Sequence, residues 1–195
     1  MIRGRPLEFD PQQALDAAVE VFWSKGYEAT SMNDLLGAMA LSKSSLYQTF
    51  GGKRQLFLRC LGRYQERFSA EMRGALQSAP SGLRFISGVF ENVANTAEKC
   101  EGAKGCLVAN SASEFGQRDM GLSKSVGRGL QGMGQIFIEA LQRAQREGDL
   151  STKADVNVLA NYLVGAMTGL RTMIKAGLSK VEARSMVPVI LNSIR

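Results

Sequence analysis

The sequence predicts an all-α protein, and three observations carry that prediction. Proline is confined to Pro6, Pro11, Pro80 and Pro188 in a chain of 195 residues. Between these positions apolar residues recur every three or four places, which is the period of one helix face. No segment alternates convincingly like a strand, and no internal repeat is present. The architecture expected is three short helices, a long connecting helix and a bundle of five more.

Asp10 before Pro11 reads as an N-cap with proline at the first helical position. The stripe Ala14, Leu15, Ala18, Val21, Phe22 follows, ending at Lys25-Gly26 with a C-terminal glycine. Ser31 with Asp34 three residues on resembles a capping box, opening a helix from Met32 to Met39. Ser42 caps a third helix, Lys43 to Phe50, in which Leu46 and Phe50 share a face; Gly51-Gly52 stops it. Lys53 begins a long helix with Phe57, Leu61, Tyr64 and Phe68 on one side, ending before Pro80.

Beyond Pro80, Leu83 to Glu98 carries Phe85, Ile86, Val89, Phe90 and Val93 at helical spacing. KCEGAKG reads as a polar link to a short helix starting near Cys106. Val126, Leu130, Met133, Phe137, Leu141 and Ala144 mark a long helix closing near Gly148. Its glycines (127, 129, 132, 134) each cost about 1 kcal/mol relative to alanine, weakening its first half. Asp155 to Lys175 is the most apolar helix and Gly177 closes it. Ser179 and Glu182 cap the last, in which Pro188 should kink or break the final turns.

Composition narrows the chemistry. The net charge is +6, which suits a polyanionic partner or simply a solvated basic surface. Histidine is absent, which removes the commonest general base and metal ligand. Cys60, Cys100 and Cys106 are odd in number and lack CxxC spacing, so a reducing compartment fits and a zinc site does not. Residues 1–10 contain no apolar signal core. The apolar run Val158–Ile174 is interrupted by Asn161 and Arg171 and is short for a bilayer. The expectation is a cytoplasmic protein that is not an enzyme and carries no cofactor or metal.

The second and third short helices are joined by only Ala40, Leu41 and Ser42, the pattern of a helix-turn-helix. With Leu46 and Phe50 turned inward, Lys43, Ser44, Tyr47 and Gln48 face outward. Lysine neutralises phosphate and glutamine reaches a base edge, so this helix is suited to a DNA major groove. From Leu35 to Gln65 the cations Lys43, Lys53, Arg54, Arg59 and Arg63 stand without a single acid. Lys53 also sits at a helix N-terminus, where backbone N–H groups hold phosphate. Thr30, Ser31, Ser42, Ser45 and Thr49 add hydroxyls to the expected contact surface. Arg3 and Arg5 form a basic arm suited to a minor groove, or else a solvated terminus.

In Phe22–Phe57 the chain resembles the TetR family of transcriptional regulators. The residues that match its pattern are Gly26-Tyr27, Thr30-Ser31, Ser42-Lys43, Leu46-Tyr47, Phe50, Lys53 and Leu56. The resemblance implies a dimeric repressor: residues 1–53 a helix-turn-helix DNA-binding domain, and residues 54–195 a domain for dimerisation and a small-molecule ligand. The family often has glycine where this chain has Ala40 and Ser44. The turn is therefore expected to be strained or reshaped, and the operator of a relative does not carry over.

For the second domain, a homodimer through the last two long helices is expected, because Val156–Ile174 is apolar on more than one face. Gly165 and Gly169 would allow close helix approach there; a helix central to a monomer is the alternative. Pocket candidates are Phe85, Phe90, Phe115, Met133, Phe137, Tyr162 and Met167, with Asn110 and Glu114 as polar groups; each also suits plain core or surface. The effector expected is small and apolar, or electrophilic. Cys106 follows Gly105 at a helix start with Lys104 nearby, which favours thiolate, and Cys100 is placed to resolve it. The competing reading of Cys106 is inert packing. A helical protein-interaction module is the alternative function, but it leaves the basic helix-turn-helix unexplained.

Overall fold

The computed structural model describes residues 9–115 and 119–194. Among them it contains ten helices: α1 (Pro11–Lys25), α2 (Met32–Met39), α3 (Lys43–Phe50), α4 (Lys53–Ser78), α5 (Gly82–Asn95), α6 (Cys100–Lys104), α7 (Leu107–Phe115), α8 (Met120–Glu147), α9 (Val156–Lys175) and α10 (Lys180–Asn192). The chain forms two compact units, Met1–Tyr64 and Gln65–Arg195, so the division falls inside α4. No helix among the described residues is long and apolar enough to cross a membrane.

In the first unit, the apolar stripe of α1 buries Ala14, Leu15, Ala18, Val19 and Phe22. Leu35, Leu46, Leu56 and Phe57 of the same unit are fully buried as well. An aromatic cluster closes this core: Phe22 meets Phe57 edge-on at 4.8 Å between ring centroids, and Tyr27 lies 4.9 Å from Phe57. The Asp10 side chain accepts from Gln12 N–H at the start of α1, and Gly26 closes it in the positive-φ region.

The second unit is built around α8. Its buried face carries Leu122, Val126, Met133, Ile136, Phe137 and Leu141. The glycine-rich first half is fully helical, starting six residues before the expected Val126. Gly129 shows why one of these glycines is useful: a Cβ there would lie 2.5 Å from Gln65 Nε2, which donates to the Ser125 carbonyl.

Two loose ends of a helix hairpin are tied by one charged pair. Arg143 donates to the carbonyls of Leu76, Ala79 and Pro80 at 2.9–3.1 Å, and through Nε to Glu147 at 2.7 Å. Glu147 in turn accepts from Gly82 N–H at 2.8 Å. The orphan carbonyls at the end of α4 and an orphan N–H at the start of α5 are thereby satisfied. The Gly82 N–H, and then Arg143, hold the Glu147 carboxyl below its ordinary range, against the opposing effect of desolvation.

Two expectations need correction. KCEGAKG is not merely a link, because Cys100–Lys104 forms α6. Five residues are too few to display a period, so no apolar pattern announces the helix. A Cβ on Gly102 would meet the Thr96 carbonyl at 2.1 Å, which shows how closely α6 folds back. Pro188 does not end α10, which runs through it to Asn192. Proline removes one donor there, while burial of Ala183, Val187 and Ile190 and the Ser179–Glu182 capping box hold the helix.

Candidate nucleic-acid interface

The helix-turn-helix is assembled by its own caps. Ser31 Oγ accepts from Asp34 N–H at 3.1 Å, and Asp34 Oδ2 accepts from Ser31 N–H at 2.9 Å. At the turn, Leu41 N–H donates to the Leu36 carbonyl at 3.1 Å, the six-to-one bond of a Schellman close. That close puts Ala40 in the left-handed region, at φ 51° and ψ 42°. A side chain there costs about 1–2 kcal/mol, so the expected strain at Ala40 is present. Ser42 then caps α3 by accepting from Ser45 N–H at 3.1 Å.

With Leu46 and Phe50 buried, α3 turns Lys43, Ser44, Tyr47 and Gln48 to solvent. Tyr47 is 48% exposed, high for a large aromatic side chain. Ser42 is exposed, and its hydroxyl lies 2.9 Å from those of Ser44 and Ser45. Ser45 and Thr49 are half-buried. Arg59 Nη1 donates to the Thr49 carbonyl at 3.0 Å and the guanidinium Cζ lies 5.5 Å from the Phe50 ring centroid, holding the end of α3 with a cation.

Not every expected contact residue presents itself in this way. Thr30 is buried at 1% exposure and its hydroxyl donates to the Gly26 carbonyl. It shapes the loop before α2 and has no side chain at the surface, which corrects its place among the contact residues. Ser31 is exposed, with its hydroxyl donating to Asp34 at 2.8 Å. Lys53 is half-buried: Nζ sits 4.4 Å from the Tyr27 ring centroid and donates to the Glu28 carbonyl at 3.4 Å. Arg3 and Arg5 lie outside the described residues.

Asp34 makes this unit sensitive to acid. Lys25 Nζ donates to Asp34 Oδ1 at 2.6 Å, and Ser31 adds its N–H and hydroxyl, so the carboxyl is held far below its ordinary 3.8. A depressed folded pKa means the contribution is fully present above the unfolded value and is lost as pH falls through the carboxylate range. The melting temperature of the first unit is therefore expected to fall below about pH 4. In Asp34→Asn the melting curve should start lower at pH 7 and lose part of that acid dependence. An unchanged pH profile in the variant would remove Asp34 from this role.

The second unit holds a cavity of about 300 Å³ between α4, α5 and α9, lined by Phe68, Glu71, Met72, Ala75, Ala79, Arg84, Phe85, Gly88, Val89, Asn92, Val93, Thr96, Met167 and Arg171. Of the expected pocket residues only Phe85 and Met167 line it. Phe90, Phe115, Met133 and Phe137 are buried core, with Phe90 and Phe137 stacked 6.3 Å apart. Tyr162 is exposed on α9, and Asn110 donates to the Lys104 carbonyl at 2.8 Å. Glu114 is half-buried on α7 and does not line the cavity. Cys106 is buried at 3% exposure and is no part of the cavity lining, whereas Cys100 is exposed.

Sequence reasoning missed Arg171 as a cavity residue and treated it only as a break in an apolar run. A usable signal was present. Arg171 stands one turn after Met167 and three residues before Ile174, so it falls on the buried face of α9. A cation at such a phase needs an explanation.

Residues 14–60 match the family model for bacterial regulatory proteins of the tetR family, and residues 82–186 that for the tetracyclin repressor-like C-terminal domain. The chain belongs to the TetR family. This TetR-family chain is 36% identical to YezE, an uncharacterised HTH-type transcriptional regulator of Bacillus subtilis, over 82% of its own length and 83% of that protein's. It is 30% identical to the HTH-type transcriptional repressor ComR of Escherichia coli, covering 91% and 85%. Among solved structures it is similar to a cysteine mutant of the TetR-family regulator CifR complexed with a 26-bp operator duplex. That similarity has a TM-score of 0.87 at 27% identity, over 98% of this chain and all of the other. The TetR-family assignment makes this chain a DNA-binding transcriptional regulator.

Proposed function

We propose that the protein is a dimeric repressor that reads an operator with α3 and is released by a small molecule held in the second unit. The observation that carries this is the outward face of α3: Lys43, Ser44, Tyr47 and Gln48 are exposed while Leu46 and Phe50 anchor the helix beneath them. In this reading residues 1–53, with Arg3 and Arg5 in the leading arm, form the DNA-binding domain. Residues 54–195 form the ligand-binding and dimerisation domain. Lys43, Tyr47 and Lys53 hold phosphates, and Ser44 and Gln48 read bases. Ser31, Ser42, Ser45 and Thr49 supply hydroxyls around them.

Dimerisation is supported by an apolar stripe on α9. Val158, Tyr162 and Met173 are exposed, and Gly165 and Gly169 between them have open space above. These five recur at one-turn spacings on the side opposite the buried Leu163, Met167 and Leu170. Val181 and Val189 extend the exposed apolar surface onto α10. Burial of Cys106 favours a non-covalent effector over thiol modification, since an oxidant must first reach the sulfur.

The test is duplex binding measured over a salt series, on DNA selected from a random pool. Gln48→Ala should relax preference at one operator position by about 1–3 kcal/mol. Lys43→Ala should weaken all sequences alike and lower the salt slope by about one. A uniform loss on Gln48→Ala takes that residue out of base reading, and salt-independent binding removes the DNA reading altogether.

A further inference from the structure

The cavity of the second unit has a direction. The link between α4 and α5 is only three residues, Ala79, Pro80 and Ser81, so the stretches of the two helices that line the cavity start from a common end. Ala79 and Arg84 therefore mark one end of the cavity, and Phe68 and Thr96 the other. From Phe68 on α4 to Ala79 just past its end the lining advances eleven residue steps, about 16 Å at helical rise. Arg171 belongs to the Phe68 end, its guanidinium 5.9 Å from that ring's centroid. Met72, Val89 and Met167 wall the stretch between the ends.

Arg171 Nε is buried, and among the described residues nothing accepts its hydrogen. A buried guanidinium N–H without an acceptor is costly, and the cost is recovered when an anionic oxygen is supplied. The lining includes a single carboxylate, Glu71, which is exposed. We propose that this cavity binds an apolar monocarboxylate, its head group on Arg171 and its hydrocarbon body along Met72, Val89 and Met167. The volume, about 300 Å³, is at the lower end of the range for small-molecule sites, which suits a small ligand. A carboxylate also meets the planar guanidinium with two parallel hydrogen bonds, a geometry open to neither an alcohol nor an amine.

This inference rests on the second unit being the effector-binding half of the regulator; ligand binding is measured without DNA and operator affinity in a separate experiment, so that the two readings fail separately. Octanoate and 1-octanol, which share the apolar body, are titrated calorimetrically into the full-length protein. Octanoate should bind at least about tenfold more tightly. Arg171→Met should bring that ratio close to one while leaving octanol affinity within about twofold, which also shows that the cavity is still folded. Arg171→Lys should recover part of the preference, and Arg84→Met, at the opposite end, should leave it intact. Equal affinity of the two probes for the wild type, or no octanoate binding at millimolar concentration, overturns the proposal. So does a preference that Arg84→Met abolishes and Arg171→Met does not. Octanoate that binds with this pattern yet leaves operator affinity unchanged would refute the effector reading and leave the carboxylate site standing.

Discussion

Phe22→Ala is expected to unfold the first unit and abolish operator binding. The Phe22 ring is fully buried and meets Phe57 edge-on at 4.8 Å and Tyr27 at 6.1 Å. Truncating a buried phenylalanine costs about 3–5 kcal/mol through lost burial and the cavity left behind. A unit of this size has about that much stability to lose. Amide hydrogen exchange is the measurement: protection in α1 to α3 should collapse while α8 and α9 keep theirs. Retained protection across α1 to α3 would mean that Phe57 and Tyr27 repack into the gap and that the cluster does not hold the head.

Gly82→Ala is expected to destabilise the second unit by about 3 kcal/mol or more, the upper end for one added methyl. A Cβ at this position would lie 2.2 Å from the Ala140 carbonyl oxygen and 2.8 Å from the Ala144 nitrogen. Both are backbone atoms of α8, so relief requires moving a helix rather than turning a side chain. That movement would also disturb the Gly82 N–H bond to Glu147 and the Arg143 ties beside it. Gly74→Ala on α4 is the paired control, since a Cβ there meets nothing within 4 Å. It should stabilise by up to about 1 kcal/mol, because alanine is the better helix former. Urea unfolding of both variants compares the same chemical change with opposite signs. A neutral Gly82→Ala would show that α5 and α8 can separate without cost.

The helix-turn-helix was legible because every device that makes it is local. Ser31 with Asp34, the three-residue turn at Ala40, the cap at Ser42 and the Leu46–Phe50 face act within four to six residues of chain. Their order can be read by spacing alone, and the outward face of α3 follows from the period of the helix. The same locality explains the errors. Thr30 has the composition of a contact residue, and only the path of the loop from Gly26 turns its hydroxyl inward. That Lys53 Nζ rests against the ring of Tyr27, far from it in sequence, is likewise a fact of the folded chain and not of the spacing.

In the second unit, periodicity marked α5 and α8, an apolar run marked α9, and the Ser179–Glu182 capping box marked the start of α10. None of these was enough to find the cavity. Phe90, Phe115, Met133 and Phe137 satisfy every sequence criterion for a pocket wall and are packed core, while Met72, Val89 and Arg171 line the space. A helix period says which side of a helix is turned inward. Whether that side meets another side chain or an opening depends on how three helices distant in sequence fit together, and only the packing of α4, α5 and α9 in space decides it.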